Sequence, residues 1–122
     1  CDYSYLMEDI LRYFARKVEQ LRLLGVNDII LDPGFGFSKT LEQNYTLMAH
    51  LDEFHAFDLP LLVGISRKSM IYKLLGCTPA DSLNGTTVLN TFALLHGAHI
   101  LRVHDVKAAV EVRRIVQQLH QS

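Results

Sequence analysis

The sequence has little of what marks most specialised classes of protein. It holds two cysteines, Cys1 and Cys77, in 122 residues. They are too few and too far apart for a disulfide framework, and no Cys-x-x-Cys is present. A reducing cytoplasm is therefore expected. The formal net charge is −1, which gives neither a nucleic acid nor a membrane surface a reason to bind. No apolar run approaches the roughly 18 residues needed to span a bilayer, and no signal peptide is visible. Six histidines (His50, His55, His96, His99, His104 and His120) show no metal-ligand spacing such as His-Glu-x-x-His, so no metal site is expected in the chain. No linker or low-complexity stretch interrupts it. What remains is a modest globular domain, 49% apolar with scattered charges.

The first stretch that looks like chemistry is LDPGFGFSKT, Leu31 to Thr40. A nucleotide P-loop needs Gly, four residues, then Gly-Lys-Ser/Thr. Here Pro33 and Ser38 stand where those glycines should be, and Pro33 removes a backbone N–H that would hold phosphate. The match fails on mechanism, and Asp32 needs another explanation.

Around it, apolar periodicity predicts five helices and three strands. Leu6, Ile10, Phe14, Val18 and Leu21 line one face of a helix that Gly25 ends. Helix is also expected over Leu41–Phe54 (Leu47, Leu51 and Phe54 inward), Ser69–Leu75, Thr86–Leu95, and Val106–Leu119 (Val110, Ile115 and Leu119 inward). Short buried strands are expected at Asp28–Leu31, Leu61–Ile65 and His99–Val103. The order αβαβααβα implies right-handed crossovers and a parallel sheet, covered by helices or closed into a barrel. Three strands alone leave two exposed edges. Together with the start at Cys1, without an initiator Met, this makes a piece of a larger protein the expectation.

Polar residues follow each strand. Asp32 ends the first, Ser66-Arg67-Lys68-Ser69 follows the second, and the third carries Arg102, His104 and Asp105. In parallel α/β architectures these C-terminal strand ends face the ligand. Taken singly, Asp32 reads as a turn residue, Arg67 as solvated and His104 as a capped core histidine; three in register on one rim read as a site. Arg102 and His104, at i and i+2, share one side of a strand and can hold an anion such as diphosphate. Ser69 opens a helix, where N–H groups favour a carboxylate or phosphate. Asp32 accepts hydrogen bonds when ionised, which suits a ring offering paired N–H donors, and Lys68 can donate to a ring carbonyl. Phe35 and Phe37 offer flat apolar walls. The implied ligand is a flat, hydrogen-bonding heterocycle with an anionic arm.

The motifs DPGFGFSK, LPLLVGISRKSMI, LNGT and AHILRVHDV, in this order and spacing, resemble the C-terminal part of dihydropteroate synthase over nearly the whole chain. That resemblance implies a TIM (β/α)8 barrel, of which residues 1–122 would supply the last three strands and their helices, the C-terminal portion of a pterin-binding domain. The family, the target of sulfonamides, condenses 6-hydroxymethyl-7,8-dihydropterin diphosphate with p-aminobenzoate to 7,8-dihydropteroate and diphosphate. By the same resemblance Asp32 binds the pterin amino and ring N–H groups, and Gly64 leaves room for the pterin. Lys68 stands between the pterin carbonyl and the p-aminobenzoate site. Arg102 stacks on the pterin and meets the diphosphate, which His104 also binds. Phe37 walls the p-aminobenzoate ring and Ser69 receives its carboxylate. Lys68, Arg102 and His104 are the candidate catalytic residues, whereas Phe35, Ser66 and Arg67 are expected to position loops. Mg²⁺ is implied with the diphosphate, its protein ligand lying outside this chain, and a homodimer is implied as the assembly.

One departure from the family pattern is Ser82-Leu83-Asn84-Gly85-Thr86, where many relatives have Arg-Leu-x-Gly-Ser; it puts local packing in question rather than the chemistry. The family's other pterin- and diphosphate-binding residues lie on earlier strands, so the 122 residues alone are expected to be inactive. Two alternatives stay open. One is a methyltetrahydrofolate-dependent corrinoid methyltransferase, which would not need the Arg102/His104 anion site; the other is a non-catalytic pterin-binding subunit.

Overall fold

The computed structural model of the chain describes residues 3–36 and 38–122. Helix α1 runs Tyr3–Leu23. It stops in a Schellman motif: the Val26 N–H reaches the Leu21 carbonyl at 2.9 Å and the Gly25 N–H the Arg22 carbonyl at 3.0 Å. Gly25 takes the left-handed conformation this needs, at φ 85°. Helix α2 is Leu41–Ala49, opened by a capping box in which Thr40 and Gln43 satisfy each other's backbone N–H. The Thr40 that imitated a P-loop threonine is therefore a helix cap. The helix expected to run on to Phe54 breaks at His50 into a 3₁₀ segment, Leu51–Phe57.

The sheet is shorter than the periodicity predicts. Strands β1 (Leu62–Val63) and β2 (Ile100–Leu101) pair in parallel, Leu62 with Ile100 and Val63 with Leu101. The stretch expected as a first strand contributes one parallel bridge, Leu31 to Leu61. It is anchored by Leu31 N–H to Pro60 O at 2.9 Å and Leu62 N–H to Leu31 O at 2.7 Å. Its other edge has no ladder partner among the described residues, which is why the regular pairing stays short. Helix α3 (Ser69–Leu75) follows β1, and α4 (Leu83–Leu95) starts three residues before its expected Thr86. Helix α5 is Val106–His120.

The core lies between these strands and α1, α2 and α3. Leu47, Leu51 and Phe54 are fully buried, as expected, with Leu31, Val63, Ile65, Met70 and Ile71. Met7, which is not on the expected face, is buried too, while Leu21, which is, is exposed. The Phe54 ring meets Phe14 edge-on with centroids 5.5 Å apart and lies 6.3 Å from Phe57. Phe54→Ala is expected to destabilise the chain by about 3–5 kcal/mol, since helices from two sides hold the cavity open. Urea denaturation checks this; a loss below about 1 kcal/mol would mean that the site collapses freely.

On α5 the expected inward face is corrected. Val112 and Val116 are buried, whereas Val110, Ile115 and Leu119 are exposed. The apolar stripe is wider than the seam with α4, and Val112 and Val116 are the two of its residues that become buried. The sheet shows a similar asymmetry. Ile29, Leu31, Leu61 and Val63 face the helices, and Ile30 and Ile100 on the opposite face are 56% and 37% exposed. That uncovered face is the one that also carries Asp32, Gly64 and Arg102.

Candidate functional site

The three strand ends converge as expected. Asp32 sits one residue past the Leu31 bridge, and its carboxylate does two things. Oδ1 accepts the Gly34 N–H at 3.1 Å, and Oδ2 accepts from Arg102 Nη1, also at 3.1 Å. The turn reading and the site reading are thus both true of one side chain. Gly64, one residue past β1 between them, lies directly under the guanidinium: a Cβ there would come within 2.7 Å of Arg102 Cζ. Only glycine lets Arg102 lie flat against this backbone on its way to Asp32.

Lys68, the residue before α3, donates from Nζ to the Phe35 carbonyl at 2.6 Å. Burial pushes its pKa below the usual lysine range; Arg102 and Lys39 push the same way, and Asp32 opposes them. Lys39, in the stretch that imitates a P-loop, joins the rim. It donates to the Gly34 carbonyl at 2.5 Å, and burial lowers its pKa against the pull of Asp32. Three cations thus surround one carboxylate, so the rim favours an anionic ligand. Ser69 opens α3, half-buried. His104 has an exposed side chain, and its N–H is held by Ser66 Oγ at 3.2 Å. Phe37 lies outside the described residues.

The loops beneath the rim are fixed by Ser66 and Arg67, in the positioning roles expected of them. Arg67 Nε and Nη2 each donate at 3.0 Å to the two oxygens of Asp105, and Nη1 donates to the Pro79 and Ala80 carbonyls. Its backbone is left-handed at φ 54°, a strain that this four-bond anchorage holds in place. The Arg67 N–H reaches Thr86 Oγ1 at 3.0 Å, and that hydroxyl donates to Ser82 O at 2.9 Å. Ser82 and Thr86, part of the departure from the family pattern, are both buried and bonded, so packing there is complete. Gly85 accommodates Ile71 and Leu75 of α3.

Arg67 holds the Asp105 carboxyl below its usual range, first through the hydrogen bonds and then through its charge. A carboxylate with a depressed folded pKa binds fewer protons folded than unfolded. The stability it contributes is therefore complete above its ordinary value of 3.8 and is lost as the pH falls through the folded value. Asp105→Asn is expected to flatten the acid limb of a stability-versus-pH curve below about pH 4. An unchanged acid limb in denaturation melts would contradict this assignment.

Asn44 was not anticipated. It is 3% exposed on the first turn of α2, and its side chain grips the loop before the helix. Nothing in the sequence distinguishes it from any polar residue of a first turn. Among the described residues there is no group of three or more His, Cys, Asp or Glu that could hold a metal ion.

Residues 1–104 match the model of the family described as pterin binding enzyme. The chain belongs to that family. The chain is 47% identical over 117 residues to the dihydropteroate synthase of Escherichia coli K12, covering 94% of this chain and 42% of that protein. It is 41% identical over 120 residues to the bifunctional dihydropteroate synthase/dihydropteroate reductase of Helicobacter pylori, covering 98% of this chain and 32% of that one. Among solved structures it superposes on Yersinia pestis dihydropteroate synthase with a TM-score of 0.92 at 46% identity, over 96% of this chain and 56% of that one. The Coxiella burnetii dihydropteroate synthase solved with pteroic acid gives a TM-score of 0.92 at 35% identity, over 96% and 44%. The chain thus spans less than half the length of the curated synthases named here. These neighbours are TIM-barrel enzymes, and the parallel pairings and flanking helices agree with part of such a barrel. No helix among the described residues is long and apolar enough to cross a membrane.

Proposed function

We propose that the gene product carrying this chain is a dihydropteroate synthase of folate biosynthesis, and that residues 1–122 are the C-terminal portion of its pterin-binding domain, with the last three barrel strands. The observation that carries the reading is the Asp32–Arg102 pair laid over Gly64 and flanked by Lys68 and Lys39. This is a planar, cation-rich shelf with one carboxylate, and it suits a pterin bearing a diphosphate.

In the proposed reaction Asp32 accepts the pterin amino and ring N–H bonds, and Lys68 donates to the pterin carbonyl. Arg102 and His104 take up charge on the diphosphate. The methylene C–O bond breaks and its electron pair leaves with diphosphate. The p-aminobenzoate amine then forms the new C–N bond, and its proton passes to solvent or diphosphate. Such a path needs leaving-group stabilisation and a flat electron-rich ring rather than a nucleophile on the protein. Ser69 at the start of α3 would receive the p-aminobenzoate carboxylate, with Phe37 beside the ring. Mg²⁺ bound with the diphosphate would add charge neutralisation, held from outside this chain. A cytoplasmic homodimer completes the reading.

A corrinoid methyltransferase would have no use for the converging cations, and a non-catalytic subunit would not need to retain them. The test is product formation: the complete gene product, given both substrates and Mg²⁺, releases equal amounts of dihydropteroate and diphosphate, while the 122 residues alone release none. Pterin binding without any product would support the non-catalytic subunit instead.

A further inference from the structure

Asn44 bonds the peptide unit that Lys68 also bonds. Its Oδ1 accepts the Gly36 N–H at 3.2 Å, and Lys68 Nζ donates to the Phe35 carbonyl at 2.6 Å. That N–H and that carbonyl belong to one planar group, the Phe35–Gly36 peptide, in which the two bonds point in opposite directions. Fixing the N–H on one side therefore fixes the direction of the carbonyl on the other. The two bonds also polarise each other through the same amide. We propose that Asn44 is a positioning residue for Lys68: it clamps the Phe35–Gly36 peptide so that the carbonyl holds the lysine ammonium in place at the rim.

The surroundings support a dedicated clamp. Asn44 is 3% exposed, and its Nδ2 donates to the Thr40 carbonyl at 3.1 Å, which fixes the rotamer and aims Oδ1 at the loop. Thr40 is already capped by Gln43, so helix α2 does not need Asn44 to begin. Lys39 braces the same loop at the Gly34 carbonyl. An ammonium has three donors. With one spent on Phe35, Lys68 keeps two for a ligand and loses the freedom of a four-carbon stem before the ligand arrives. The burial that lowers its pKa makes a fixed acceptor more valuable to it than water-exposed lysines would find.

This inference rests on the pterin reading above, and a double-mutant cycle separates the two. The dissociation constant of 6-hydroxymethyl-7,8-dihydropterin diphosphate is measured by calorimetry on the complete gene product, as wild type, Asn44→Ala, Lys68→Ala and the double variant. Asn44→Ala is expected to weaken binding about five- to thirtyfold, which lies inside the range of coupling seen for residues in one hydrogen-bond network. Added to Lys68→Ala it should change binding less than twofold, because the residue it positions is gone. Equal losses from Asn44→Ala in both backgrounds, or no loss in either, would overturn the clamp. The titration stoichiometry gives the folded fraction, so partial unfolding cannot imitate weaker binding. Should Asn44→Ala not fold, the same cycle is run with Asn44→Ser: a loss confined to the Lys68 background supports the clamp, and equal losses with and without Lys68 overturn it. A wild type that does not bind the pterin overturns both readings.

Discussion

Asp32→Ala is expected to lower kcat/KM of the complete gene product by about 100- to 1000-fold, the loss of two charge-assisted hydrogen bonds to a bound pterin. Its two oxygens separate structure from binding. Oδ1 shapes the turn through the Gly34 N–H, and Oδ2 faces Arg102. Asp32→Asn can keep the turn while giving up the negative charge, so it should fold as wild type and still lose most activity. Circular dichroism and steady-state kinetics on both variants check this. A loss below tenfold in Asp32→Ala would put the pterin elsewhere on the protein.

Gly64→Ala is expected to cost about 10- to 100-fold in kcat/KM with little change in melting temperature, since misplacing a binding group by an ångström has effects of this order. The added methyl meets the Arg102 guanidinium, with Nε at 2.9 Å and Cζ at 2.7 Å. That side chain is 56% exposed and can swing into solvent, so the fold escapes the clash. The site does not escape it: Arg102 leaves Asp32, and the space above Gly64 is no longer flat. A variant that melts far below wild type would show instead that Gly64 is needed for packing. One that keeps full activity would show that Arg102 does not have to lie where it does.

Much of this arrangement was legible because strand ends in a parallel fold are fixed points. Once Leu31, Leu61–Ile65 and His99–Val103 are read as parallel neighbours, Asp32, Lys68 and Arg102 must meet at one rim. The exact limits of α3 follow from the Lys68–Ser69 junction and Gly76. Other features were not legible, for physical reasons. The α5 stripe is apolar over a wider arc than its neighbour covers, so periodicity alone could not choose between Val110/Ile115 and Val112/Val116. The 28–31 strand has the right composition, yet a ladder needs partners, and one bridge is what its single paired edge supports. Lys39 was dismissed with the failed P-loop, although its bonds run to the same loop carbonyls that organise the rim. Asn44 depends on a contact eight residues back to Gly36, which no local pattern announces. Thr40 with Gln43 three residues on has the spacing of a capping box, a signal that is present in the sequence.

The central claim is that this rim holds a pterin diphosphate and thereby completes a site for p-aminobenzoate. Calorimetric titration of the complete gene product tests it most directly. With pterin and diphosphate present, p-aminobenzoate should bind strongly; without them, its binding should be at least an order of magnitude weaker, since the pterin and its leaving group form one wall of the site. Equal binding of p-aminobenzoate in both conditions, or no heat on adding the pterin diphosphate, would contradict the account.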